Sequence, residues 1–252
     1  MKLINYFFCG LLASHIILTG CSETPVASTN YSGSTSQAAL DNINADAFAR
    51  AAIDATLLVK ESKTLLDSLS ASCSSGSVTQ DVNIIDSTLI FTFNNCDLGT
   101  NQIINGQATV SGNLSGNATI SFINFTIKDN AGITLSTVEN LSASCSGGNT
   151  GTCTLSSDFT GTRGLIYRIS NFTAVKNIAG DLTSITGRLY HPDYGYVDIT
   201  TTTDISFGTC ASTTIPDGGI IQFTGSNNAT ITYTCTDITS SITGGATTTV
   251  NW

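Results

Sequence analysis

The densest gathering of reactive side chains is Gly187-Arg188-Leu189-Tyr190-His191-Pro192-Asp193-Tyr194-Gly195-Tyr196-Val197. Pro192-Asp193 followed by Gly195 makes a hairpin turn, Pro fixing one dihedral and Gly allowing a left-handed one. That turn collects Tyr190, Tyr194 and Tyr196 around His191, the one histidine beyond the N-terminal segment. Aromatic faces beside hydrogen-bonding groups suit a glycan or a lipid headgroup. The same residues serve equally as packing, with the tyrosines against a sheet and His191 capping the turn. A Ser-His-Asp hydrolase would have to use His191, and no Gly-x-Ser-x-Gly elbow is present to hold its nucleophile. Asp193 and Asp198 lie close along the chain, but the carboxylates of a glycoside hydrolase meet in space rather than in sequence. No glycine loop for phosphate follows a strand and opens a helix. The expectation is a protein that is not an enzyme and carries no cofactor.

Cysteine is the other reactive residue. Of eight, Cys9 and Cys21 fall near the start, leaving Cys73, Cys96, Cys145, Cys153, Cys210 and Cys235. An even number in an exported chain reads as disulfides, with 15 pairings open to six cysteines. We expect the sequential one: Cys73–Cys96, Cys145–Cys153 and Cys210–Cys235. The middle pair encloses Ser-Gly-Gly-Asn-Thr-Gly-Thr, a turn-rich segment able to close tightly. Zinc is the rival use, but no Cys-x-x-Cys occurs, so no metal site is expected.

Export is written at the start. Lys2 supplies a positive end, and Tyr6–Ala13 with Ile16-Ile17-Leu18 forms an apolar stretch interrupted by His15. The stretch is too short for a spanning helix, which needs about 20 apolar residues, and has the anatomy of a signal peptide over 1–20. Leu18-Thr19-Gly20-Cys21 looks like a bacterial lipobox, which would place acyl chains on Cys21. An ordinary cleaved signal with a chance cysteine is the alternative. In Gram-negative lipoproteins an Asp after the lipidated Cys usually retains the protein at the inner membrane. Ser22 therefore implies the outer membrane. Residues 21–36 follow as a polar, flexible leash with a reach on the order of 20 Å.

The remaining 37–252 suits a single β-rich domain, and the chain as a whole has 40% hydrophobic residues for a core and only 11% charged. A formal net charge of −9 repels phosphate backbones and anionic headgroups, so no nucleic-acid partner is expected.

One helix is predicted at about 45–70, with an earlier start near Gln37 as the alternative. Asn44 is its N-cap, Asp46 lies in its first turn, and Ile43 with Phe48 forms a hydrophobic staple. Ala47, Ala51, Ala55, Leu58, Leu65 and Leu69 share one face, and Arg50–Asp54 and Lys63–Asp67 pair one turn apart. This helix either packs across one face of the sheet that follows or acts as an amphipathic lid or partner helix. From Ser77 onward the pattern alternates, as in Leu89/Phe91/Phe93 and Ala229/Ile231/Tyr233/Cys235, for ten to twelve strands. The fold class is mainly β, an antiparallel meander or sandwich-like curved sheet with the helix packed on it. A membrane barrel is disfavoured, because the candidate outward positions are largely Thr and Ser.

Short stretches recur. Asn124-Phe125-Thr126 returns as Asn171-Phe172-Thr173, Lys128–Gly132 resembles Lys176–Gly180, and Asn117–Phe122 resembles Asn228–Tyr233. Duplicated hairpins and chance in a chain rich in Asn, Thr and Ile both account for this.

As a set, the lipobox, Ser/Thr leash, Asn-Ala helix start and Cys-containing β region resemble the uncharacterised outer-membrane lipoproteins of proteobacteria. Gly187–Val197, Pro216-Asp217-Gly218-Gly219 and Gly225-Ser226-Asn227-Asn228-Ala229 carry the likeness in the β region. The resemblance implies location and architecture, not an activity. Two functions follow as expectations. One is a non-enzymatic, disulfide-stapled domain that binds a protein, glycan or lipid partner or builds the envelope. The other is a periplasm-facing carrier, with an acyl chain or other apolar ligand beneath a helix laid across the mouth of the sheet.

Overall fold

Alternation of β-branched and aromatic residues with Thr, Ser and Asn dictates strands with one buried and one solvated face. The computed structural model describes residues 30–252 apart from 68–72, 84–87, 98–101, 113–116, 130, 147–150, 177–181 and 213. The signal, the lipobox and Cys21 lie outside the described residues, as do parts of the Lys176–Gly180 repeat. Helix α1 (Asn42–Asp67) comes first. It is followed by β1 (Ser75–Asn83), β2 (Thr88–Asp97), β3 (Gln102–Gly112) and β4 (Ala118–Asp129). Next come β5 (Thr134–Ser146), β6 (Thr152–Thr160), β7 (Ile166–Lys176), β8 (Leu182–His191) and β9 (Gly195–Phe207). The last are β10 (Pro216–Thr224), β11 (Asn228–Tyr233), β12 (Asp237–Ile242) and β13 (Thr247–Asn251). All 13 strands join one antiparallel sheet in sequence order, so the meander is realised and no second sheet forms among the described residues.

The helix begins three residues earlier than expected. Asp41, not Asn44, is the cap: its Oδ1 accepts the amides of Ile43 (2.9 Å) and Asn44 (2.8 Å). The Asn44 side chain reaches back to accept the Asp41 amide at 2.8 Å, the reciprocal pattern of a capping box. Ile43 is 75% exposed and staples nothing. Arg50 turns back to Asp46 at 3.0 Å, while Asp54, its expected partner, accepts from Thr162 instead. The side chains of Lys63, Leu65, Asp67 and Leu69 lie outside the described residues.

The larger difference concerns the faces of the helix. Of residues 44–59, only Asp46 and Arg50 escape full burial. A helix buried all round needs cover on every side, and here the sheet supplies it. Arg163, in the β6–β7 turn, lies 3.9 Å from Asp46. Arg50, bound to that same Asp46, donates to the Asn251 carbonyl at the end of β13 at 2.6 Å. In a flat sheet, six strand spacings of about 4.8 Å would hold β7 and β13 roughly 29 Å apart. The sheet therefore curls round the first half of α1, and the helix lies inside it rather than across one face. Ala45, Ala47, Ala49, Ala51, Ala52 and Ala55 keep the helix thin enough for this. Phe48 fills the space between β8 and β10, its ring centroid 5.7 Å from His191 and 6.1 Å from Phe223. Its burial contributes about 2–3 kcal/mol.

Three disulfides staple the curl: Cys73–Cys96, Cys145–Cys153 and Cys210–Cys235, the sequential pairing. Cys145 and Cys153 stand directly opposite each other on β5 and β6. The other two bridges tie the segment after α1 to β2 and the β9–β10 connection to the β11–β12 turn. Each contributes about 2–4 kcal/mol by shrinking the unfolded ensemble.

The repeated Asn-Phe-Thr also has a structural meaning. Asn124 and Asn171 both adopt left-handed backbone (φ 49°), and each marks a β-bulge that tips the following Phe inward. Phe125 and Phe172 are 1% and 0% exposed. Extra residues at bulges strengthen local twist, which a sheet this curled requires.

Candidate functional site

The turn at Pro192–Tyr194 ties β8 to β9, and strand alternation then splits the aromatic cluster between two faces. His191 points inward and is 3% exposed. Its Nδ1 accepts the Asp193 amide at 3.2 Å, so the neutral ring carries its proton on Nε2. Rings of Phe48, Tyr167 and Tyr194 surround it at 4.6–5.7 Å. Burial lowers its pKa, against the pull of the Asp193 carboxylate. His191 is thus a turn cap in the core. Tyr194 is half-exposed over the turn. Tyr190 and Tyr196 face the opposite way, on the outer surface of the sheet, with centroids 5.4 Å apart. The four expected ligand-binding residues do not form one site.

The outer face carries instead two arginine–aspartate pairs that the sequence reading did not bring together. Asp158 on β6 stands directly opposite Arg168 on β7, and Arg188 on β8 directly opposite Asp198 on β9. Both pairs are bidentate with the same geometry: Nε to Oδ1 at 2.7 Å and Nη2 to Oδ2 at 3.1 Å. Each guanidinium also covers a tyrosine ring, Arg168 over Tyr31 at 4.9 Å and Arg188 over Tyr196 at 3.9 Å. The carboxylate hydrogen bonds raise the pKa of both arginines, which stay charged. Tyr31 touches Tyr190 in turn, at 6.0 Å, so Tyr31, Tyr190 and Tyr196 make a strip of three rings. Of the two carboxylates considered for catalysis, Asp198 gives both oxygens to Arg188, and Asp193 sits exposed in the turn.

Tyr31 comes from the segment read as leash, and that boundary moves. The Tyr31 amide donates to Asp158 at 2.9 Å, and its hydroxyl lies 2.7 Å from the Ser34 carbonyl and 3.0 Å from that of His191. Burial pushes that hydroxyl's pKa up to about 12. The Ser34 amide then donates to Pro192, and Ser36 and Ala38 bracket Tyr196 with backbone bonds of 2.8 and 2.9 Å. The strap ends at the β10–β11 turn, where Asn227 bonds both the amide and the carbonyl of Leu40. Polar composition suggested flexibility, but backbone pairing overrides it: Tyr31–Ser36 belongs to the β domain. Gly195 lets the strap pass, since a Cβ there would lie 2.0 Å from the Ser36 carbonyl oxygen.

Between the second ion pair and β7 the surface dips. Ser170, Asn171, Thr186, Arg188, Asp198 and Thr200 line a groove of about 450 Å³. Its floor at Gly187 (φ 137°) admits no side chain, because a Cβ would approach the Phe172 Cα to 2.6 Å. A second depression of about 440 Å³ runs along Ser111, Thr119, Ser144, Thr152 and Thr154, with hydroxyls but no charge or aromatic ring. Among the described residues, no three His, Cys, Asp or Glu side chains gather as metal ligands.

Comparison with protein-family models, with curated proteins and with solved structures found no match.

Proposed function

We propose that this chain is an outer-membrane lipoprotein, held by acyl chains on Cys21, whose disulfide-stapled β domain binds a partner through its outer face and catalyses no reaction. The observation that carries this reading is the filled curl. Residues 44–59 occupy the space a carrier would leave for an apolar ligand, and Phe48 fills the gap between β8 and β10. Chemistry left for a partner then sits outside, where the ring strip and the paired guanidinium groups lie. Three formed disulfides favour an oxidising compartment, consistent with export.

Organic extraction of the purified chain tests the filled interior. Only acyl chains bound to Cys21 should appear, whereas one free lipid per chain would replace this reading with the carrier. Cys21→Ser should abolish palmitate labelling and membrane retention together. A protease site placed within residues 23–29, ahead of the strap, then reports the side faced. Cleavage on intact cells means the surface, and cleavage only after outer-membrane opening means the periplasm.

A further inference from the structure

Building on the outer face as the working surface, we propose that the groove beside Arg188 and Asp198 binds a neutral oligosaccharide chain. Recognition of a sugar needs two things together: an aromatic face for the C–H side of the ring, and donors and acceptors in one plane for its hydroxyls. The groove and its rim supply both. Tyr196 adjoins the groove's lining at Arg188, its ring against that guanidinium, and Tyr190 continues the strip from there towards Tyr31. Arg188 brings donors and Asp198 acceptors, both partly exposed at 38% and 44%. The hydroxyls of Ser170, Thr186 and Thr200 and the Asn171 amide provide groups that both donate and accept.

Charge selects among ligands. Arg188 is matched by Asp198 and the neighbouring Arg168 by Asp158, so neither of these two guanidinium groups is unpaired for a phosphate or sulfate. The chain as a whole carries −9, which repels polyanions further. Shape selects again. A volume of about 450 Å³ falls within the usual range for small-ligand sites. Thr186 and Thr200 are exposed, so the groove is open along its upper side. An open polar groove beside an aromatic strip fits internal units of a chain better than an enclosed small molecule. The second depression has hydroxyls and the Asn117 amide but lacks the ring and the ion pair.

The test is saturation-transfer NMR on the full chain in a polyoxyethylene detergent, since sugar-headed detergents would compete. The probes are the hexamers of N-acetylglucosamine, β-1,4-glucose and α-1,4-glucose, with heparin as the polyanion. At least one neutral hexamer should receive transfer, and heparin should not displace it. Arg188→Ala and Tyr196→Ala should each weaken that binding at least tenfold. Thr200→Trp, which fills the groove and leaves ion pair and stack in place, should do the same while melting as the parent does. Thr154→Trp, in the second depression, should leave binding intact. No transfer to any hexamer from the folded parent, preference for heparin, unchanged binding in Thr200→Trp, or loss in Thr154→Trp would each overturn the proposal. Lipid extraction of the same preparation tests the parent reading separately, because a lipid-free domain that ignores sugars overturns only the ligand class.

Discussion

Arg168–Asp158 and Arg188–Asp198 are one construction used twice, with the same two bond lengths and a tyrosine ring against each guanidinium. They differ in what lies on top. The strap covers the first, leaving the Asp158 side chain 1% exposed and occupied by the Tyr31 amide. Nothing described lies over the second, whose Asp198 is 44% exposed. Removing one partner from a buried pair leaves an uncompensated group and costs several kcal/mol, while exposed pairs contribute little. Identical geometry thus has two uses. The covered pair holds the strap to the sheet, and the open pair stays accessible on the outer face.

Asp158→Ala should break this contrast most severely. It orphans Arg168 and the Tyr31 amide together, so a loss of about 3–5 kcal/mol is expected, or roughly 10 °C in Tm. Limited proteolysis should then find new cleavage between residues 30 and 38.

Asp54 separates burial from pairing. It is as buried as Asp158, but its carboxylate is met by Thr162 rather than by a bidentate guanidinium. Desolvation pushes its pKa from 3.8 up to about 6, against those hydrogen bonds. The folded state therefore takes up a proton before the unfolded state does. This residue's contribution to stability rises as pH falls from above 6 towards 4, by up to about 2–3 kcal/mol. Asp54→Asn should stabilise the protein at pH 8 and remove that rise, as read from denaturant midpoints across the range.

Tyr31→Phe removes a single hydroxyl of the strap, and about 1 kcal/mol should be lost. Asp198→Ala carries the smallest effect, under about 1 kcal/mol, with Tm within a few degrees of the parent. A loss there as large as in Asp158→Ala would show that cover does not distinguish the two pairs.

The open pair was legible in the sequence in a way the covered one was not. Once Pro192-Asp193-Tyr194 is accepted as the turn, Arg188 and Asp198 lie equally far from it and must face each other. Arg168 and Asp158 flank a less obvious turn, Gly161–Leu165, and what distinguishes them is Tyr31, 127 residues from Asp158. No local pattern reports such a contact, and the polar surroundings of Tyr31 argue for coil. Strand alternation was readable because it is local, although the expected ten to twelve strands fell short of the 13 described, and the sequential disulfides were one choice among 15 pairings. The curl was not readable. Alanines at 47, 51 and 55 draw a stripe, yet those at 45, 49 and 52 are buried just as deeply. A residue this small marks no preferred side. His191 shows the converse: its neighbours were read correctly, but a one-residue step along β8 decides between core and surface.

The enclosed helix also sets an order of events. Every strand pairs with its neighbour in sequence, so the sheet can zip progressively from its N-terminal end. Residues 42–67 emerge before any of it, and their contacts span the chain: Ala49 waits for Tyr233 across 184 residues, and Arg50 for Asn251 across 201. The body therefore closes only when β13 arrives. A chain cut short before Thr247 would leave its alanine-rich helix unwrapped along one side, a mark by which quality-control proteases could tell unfinished molecules from finished ones.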